Sequence, residues 1–165
     1  MEKSVLQQSP DGLVERISVL LLERNWTLAT AESCTGGQIG HTLTNLPGSS
    51  AFYEGGVVAY SYEAKSTLLG VPPALLLEHG AVSQPVAFEL ARAVRRLLDT
   101  QVGIAVTGIA GPSGGTPAKP VGTVYIGISS PRGDEVRRYV WDQDRLGNKE
   151  LSVVAALALV LEHLS

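Results

Sequence analysis

Residues 26–46 read "WTLATAESCTGGQIGHTLTNL", and the change of period inside this stretch decides the fold. "WTLATAES", 26–33, is short and β-prone. "QIGHTLTNL", 38–46, instead spaces Ile39, Leu43 and Leu46 three or four apart, which is the period of a helix. Where they join, residues 33–37 are a serine, the chain's only cysteine, a threonine and two glycines. Ser33, Cys34, Thr35, Gly36 and Gly37 are therefore placed in a strand-to-helix turn, where open α/β sheets carry their ligands.

Working outward, strands and helices alternate. Ser9-Pro10-Asp11 has the chemistry of a helix start, and Leu13, Val14, Ile17, Leu20 and Leu21 form an apolar stripe to about Arg24. "GGVVAYS", 55–61, predicts a second strand, followed by a short helix from Tyr62 to Leu69 that Gly70 stops. Ser83 and Pro85 open a further helix with core positions Val86, Leu90, Val94, Leu97 and Leu98. "QVGIAVTG" predicts a buried strand that runs into the loop "GIAGPSGGTPAKP", 108–120. "VGTVYIGISS" and "EVRRYVW" flank "PRGD" as an antiparallel hairpin, and a helix from about Leu146 is apolar on more than one face. Such a helix is buried either in its own fold or in a dimer interface. The order implies an α/β fold: a three-layer α/β/α sandwich with a mixed sheet. The 165 residues fit one domain, with residues 1–9 expected to be a loosely ordered N-terminus.

Composition narrows the function classes. A net charge of −3 gives no general electrostatic reason to bind nucleic acid or anionic lipid. "MEKSVLQQSPDG" lacks the apolar core of a secretory signal, and the longest apolar run, Val153 to Leu161, is too short to span a bilayer, so a cytoplasmic protein is expected. One cysteine excludes an internal disulfide and a multi-cysteine zinc site, while His41, His79 and His163 have no metal-ligand spacing.

Four features could carry chemistry. The "ESCTGG" turn either caps a helix, as serine and threonine commonly do, or presents a nucleophile beside free backbone amides. Ser33 and Cys34 both qualify, and each needs a base that the turn itself does not supply. Lys65, in "AYSYEAKSTLLG", is on its face a solvated surface charge; in the first turn of a helix capped by Ser61, however, the dipole opposes a cation and favours a neutral amine able to act as a base. "TGIAGPSGG", 107–115, is a plain connection or an anion-binding loop, without a P-loop lysine or a dinucleotide fingerprint. Arg145 and Lys149 are surface charges or an anion clamp. A serine–histidine–acid triad finds no nucleophile-elbow motif.

Taken together, "TAESCTGG", "GGVVAYS.EAK..LLGV", "HGAVS.PVA", "VTGIAGPSGGTPAKPVGTVYIG" and "DR" resemble one family over about residues 10–163. It is the C-terminal domain family of the competence/damage-inducible protein CinA, which also occurs as a stand-alone nicotinamide-nucleotide amidohydrolase. The chain is similar to that stand-alone form. The resemblance implies hydrolysis of the carboxamide of nicotinamide mononucleotide to nicotinic acid mononucleotide and ammonia, in pyridine-nucleotide recycling, with no metal or organic cofactor and a homodimer or higher homo-oligomer. It assigns Ser33 as nucleophile and Lys65 as base, with Thr35, Tyr60, Thr107 and Arg145 on motif positions of the site. Backbone amides near Thr35 and Gly36 are expected to hold the oxyanion, with Gly36, Gly37, Tyr62, Thr107, Gly108 and Lys149 at the substrate. Gly111, Gly114, Gly115 and Arg145 are expected at its phosphate. Two positions depart from the pattern: Tyr62 replaces a small polar residue, often asparagine, and Lys149 replaces an arginine. Three alternatives stay open: a non-catalytic nucleotide-binding module serving regulation or competence, which Tyr62 favours; an amidohydrolase for another primary amide; and a structural subunit whose apolar C-terminal helix serves assembly.

Overall fold

The computed structural model describes residues 7–165. The expected loose N-terminus falls outside them for residues 1–6; Ser9 already caps the first helix, its hydroxyl accepting from the Gly12 amide. The elements are α1 (Pro10–Arg24), β1 (Leu28–Glu32), α2 (Gln38–Thr44), a single 3-10 turn (Ser49–Ala51), β2 (Tyr53–Val58), α3 (Tyr62–Leu69), α4 (Pro73–His79), α5 (Gln84–Leu97), β3 (Val102–Gly108), β4 (Thr123–Ser130), β5 (Gly133–Val140) and α6 (Arg145–Leu164). They form the expected three layers. The sheet runs β2-β1-β3-β4-β5, with β1 parallel to both β2 and β3, and β4 and β5 antiparallel beyond them.

Strand parity sorts the two cores. Leu28, Val102, Ile104, Val106, Val124, Ile126 and Ile128 point to the face covered by α1, α2 and α6. Ala29, Ala31 and Ala105 point to the face covered by α3, α4 and α5. The second face is built from small residues because α5 lies directly on it. A methyl group at Gly103 would run into the Ala91 carbonyl of α5, and one at Gly127 would come within 2.5 Å of the Ala87 carbonyl. Forcing either methyl in would cost roughly 1–3 kcal/mol.

Three readings change with the fold. α4, Pro73–His79, is a helix that the sequence pattern does not announce, since Pro72-Pro73 followed by three leucines has no two-sided period. Leu97 is exposed rather than part of the α5 core face. In α6 every residue from Val153 to Leu161 is buried, and all of that burial arises within one chain, between the sheet and α1. The helix thus needs no partner subunit to cover it. No helix among the described residues is long and apolar enough to cross a membrane.

Connectivity fixes where chemistry can occur. From β1 the chain crosses α2 to β2 on one side, then returns through α3, α4 and α5 to β3 on the other. Helices leave on opposite faces, so a crevice opens at the C-terminal end of β1. Ser33 is the next residue.

Candidate functional site

Parity continues past the end of β1. Glu32 points under α2, and Ser33, whose amide still donates to the Val106 carbonyl of β3 at 3.0 Å, turns toward the layer of α3. From that layer comes Lys65. Ser61 caps α3, its hydroxyl accepting from Ala64 N at 3.0 Å, so Lys65 stands in the first turn as the sequence suggested. Its side chain is 1% exposed. Nζ lies 2.9 Å from Ser33 Oγ and donates to the carbonyls of Ala59 at 2.8 Å and Tyr60 at 3.0 Å. Among the described residues no carboxylate lies within ion-pair distance of it.

Burial without a counter-ion disfavours the ammonium form, and the pKa of Lys65 falls to about 8. Desolvation is the dominant cause, where the sequence reading had invoked the helix dipole. A neutral Nζ with two N–H bonds directed at carbonyls leaves its lone pair for the third neighbour, the Ser33 hydroxyl. That is the arrangement of a serine with its base. Cys34, the other candidate nucleophile, is also buried, and burial pushes its thiol up to about 11. It stays a thiol near neutral pH and is a poor nucleophile there.

The turn is built by its glycines. Gly36 and Gly37 have φ of +63° and +99°, a backbone that side chains resist. The Gly36 amide donates to the Ser33 carbonyl at 3.1 Å and the Gly37 amide to Glu32 Oε2 at 3.1 Å. Both are therefore engaged, and the expected oxyanion donor at Gly36 is spoken for. Thr35 differs. Its amide donates to no described residue, and its hydroxyl is buried without a hydrogen-bond partner. An unsatisfied pair of donors two residues beyond the serine is where a developing oxyanion would be received.

The remaining expected residues divide into two groups. Tyr60, 62% exposed, accepts from Arg145 through its hydroxyl at 3.2 Å, and Arg145 also donates to the Gly111 carbonyl at 2.7 Å. Arg145 thus joins the glycine-rich loop to the residue whose carbonyl holds Lys65. Lys149 lies beside Gly36 and lines an open cleft of about 410 Å³ together with Thr35, Gly37, Gln38, His41 and Leu146. Arg145 is linked to Ser33 through Tyr60 and Lys65, and Lys149 through the turn at Thr35 and Gly36. The second group serves the walls. Thr107 Oγ1 donates to the Ala81 carbonyl at 2.9 Å, while Tyr62 accepts from the Ala81 amide at 3.0 Å, so both clamp the α4–α5 connection. A methyl at Gly108 would press on Val124, the Thr123 carbonyl and Cys34 Sγ; one at Gly111 or Gly115 would press on Val121. Gly114 lies in the same loop with φ +93°. These glycines pack the loop against its own chain.

Two residues that sequence reasoning passed over also shape the site. Lys119 reaches back from the glycine-rich loop to donate to the His79 carbonyl at 2.8 Å, and Asn148, buried in α6, donates to the Ala110 carbonyl at 3.0 Å. They fasten the two ends of the loop. An amide-bearing residue one turn into the last helix was the only signal for Asn148.

The CinA C-terminal domain family matches residues 11–164. A CinA-like protein of Salinibacter ruber is 54% identical over 137 residues, 83% of this chain and 33% of that protein. A CinA-like protein of Syntrophus aciditrophicus is 47% identical over 167 residues, covering 100% of this chain and 40% of the relative. The chain thus spans roughly a third to two fifths of the length of these curated relatives. Among solved structures, a CinA superfamily protein of Klebsiella pneumoniae superposes with a TM-score of 0.91 at 35% identity, over 95% of this chain and 98% of that one. A competence or damage-inducible protein of Enterobacter asburiae gives 0.92 at 33% identity, over 96% and 100%.

Proposed function

The chain belongs to the CinA C-terminal domain family, and from that premise we propose that it hydrolyses the carboxamide of nicotinamide mononucleotide to nicotinic acid mononucleotide and ammonia. The observation that carries this reading is the buried Lys65 Nζ at 2.9 Å from Ser33 Oγ, with both carbonyl partners in place. Neutral Lys65 takes the Ser33 proton as Oγ attacks the carboxamide carbon. The oxyanion that forms is received by the Thr35 amide, with its hydroxyl beside it. Lys65, now an ammonium, returns the proton to the departing nitrogen, which leaves as ammonia. Water then gives a proton to Lys65 and attacks the acyl ester; the acid is released as Ser33 regains its hydrogen.

The nucleotide's phosphate is assigned to Arg145 and the loop at Gly111–Gly115, with Lys149 at the neighbouring cleft. Lysine keeps the charge there but lacks the two-pronged grip of arginine. Tyr62, which argued for a non-catalytic module, bonds to Ala81 rather than to the Ser33–Lys65 pair, and this favours the enzyme over that alternative. A homodimer or higher homo-oligomer remains a proposal on the family resemblance alone, since α6 is covered within its own chain.

Purified protein incubated with nicotinamide mononucleotide should release ammonia. Nicotinamide riboside, which lacks the phosphate, should be hydrolysed at least about tenfold less efficiently in kcat/KM, as expected for losing a charge-assisted contact. Equal rates for both would remove the phosphate assignment. No ammonia from the nucleotide, with release from a simpler primary amide, would change the substrate and keep the chemistry.

A further inference from the structure

Glu32 is a buried carboxylate, 3% exposed, that the mechanism above does not use. Its Oε2 accepts from the amides of Gly37 and Ile39, both at 3.1 Å, and its Oε1 from Gly40 at 2.9 Å. α2 has a glycine, Gly37, at its N-cap and so no side-chain cap of its own. The carboxylate takes the place such a cap would occupy and satisfies three donors that a helix start leaves open. Meanwhile the Glu32 backbone carbonyl accepts from the Ala59 amide at 2.9 Å, and the Ala59 carbonyl is one of the two that hold Lys65.

One residue therefore grips both sides of the reacting pair. Its side chain fixes the helix that follows Ser33, and its main chain fixes the strand end that orients Lys65. The packing shows how little slack is left. A methyl at Gly40 would meet the Tyr53 hydroxyl at 2.6 Å, and that hydroxyl is itself bonded to Thr30 at 2.8 Å, so α2 lies as close to β1 and β2 as side chains permit.

We infer that Glu32 is a positioning residue for the Ser33–Lys65 pair: its carboxylate locks the turn that carries Ser33, and its charge occupies the amides of α2 so that no substrate anion can be held there. The inference rests on Ser33 being the nucleophile, not on the identity of the amide.

The test measures the reactivity of Ser33 directly, as its rate of phosphonylation by a fluorophosphonate reagent read by mass spectrometry, beside kcat and KM for nicotinamide mononucleotide. In Glu32→Gln the shape is kept, but the side-chain nitrogen must face one backbone N–H. The labelling rate and kcat should both fall about tenfold, with KM changed less than about threefold. Glu32→Asp retains the charge on a shorter arm and should fall between Gln and wild type. Circular dichroism and thermal unfolding confine the comparison to folded protein. Unchanged labelling in folded Glu32→Gln would overturn the proposal, as would a rise in KM alone, which would put the carboxylate in substrate binding. If wild-type Ser33 is labelled but the nucleotide is not hydrolysed, the substrate reading falls and the Glu32 comparison still stands on labelling.

Discussion

The two rims of the sheet handle positive charge in opposite ways. At the rim where β3 begins, Arg92 pairs with Asp134 at 2.6 Å and Arg96 with Glu89 at 2.8 Å, all on the surface. Partial burial acts most strongly on the Asp134 carboxyl and raises it, but hydrogen bonds from Ser129 and Arg92 with the charges of Arg92 and Arg95 together outweigh it and hold the carboxyl below its usual range. At the rim where β1 ends, Lys65 is enclosed, and among the described residues its hydrogen-bond partners are two carbonyls and a hydroxyl. Arginine with a carboxylate in water stays charged and does little. An amine stripped of both water and counter-ion becomes a base near neutral pH.

The sharpest break of this contrast removes the group the amine activates. Ser33→Ala should lower ammonia release from nicotinamide mononucleotide by about 10³-fold or more while the dissociation constant, measured by calorimetry, stays within about threefold. Next comes Lys65→Arg, which puts at the active rim the kind of cation found at the other one. Arginine does not deprotonate, so a loss of similar order, about 10³-fold in kcat, is expected even though the positive charge remains. Near-normal turnover in that variant would show that charge alone matters.

A smaller effect follows from the pKa of Lys65, lowered from 10.5 to about 8. Only the neutral amine accepts a proton, so kcat/KM should rise about tenfold per pH unit below 8 and level off above it. A profile flat from pH 6 to 9 would contradict this. The least effect belongs to the opposite rim: Arg92→Ala, which breaks a pair with an arginine side chain 45% exposed, should cost less than about 1 kcal/mol in chemical denaturation and leave kcat unchanged.

How much of this was legible in the sequence depends on whether the signal was local. α3 was readable to the residue because Ser61 and Gly70 punctuate it, and both do what their chemistry suggests: Ser61 caps the start, and Gly70 adopts φ +66° at the end. Ser33 and Lys65 drew attention separately, through a turn and a misplaced cation. That they meet is a fact of topology, since 32 positions separate them and β2 has to lie beside β1 first. The cause of the lowered pKa was misread because burial is not written in a helix position. Thr107 and Tyr62 were placed at the substrate, and their bonds to Ala81 depend on α4, an element whose leucines have no readable period. Glu32 was quoted in the motif and given no task, because a carboxylate on a strand says nothing about the helix it will cap.

The alternation at the end of β1 also limits how this protein can change in length. Glu32 and Ser33 serve opposite layers only because they are neighbours on an extended chain. Inserting or deleting a single residue between Leu28 and Ser33 would exchange their sides, sending an acid toward the amine and a hydroxyl under a helix that needs an anion. The loop from Ile109 to Val121 has no such phase to keep; point contacts at Ala110, Gly111 and Lys119 hold it instead.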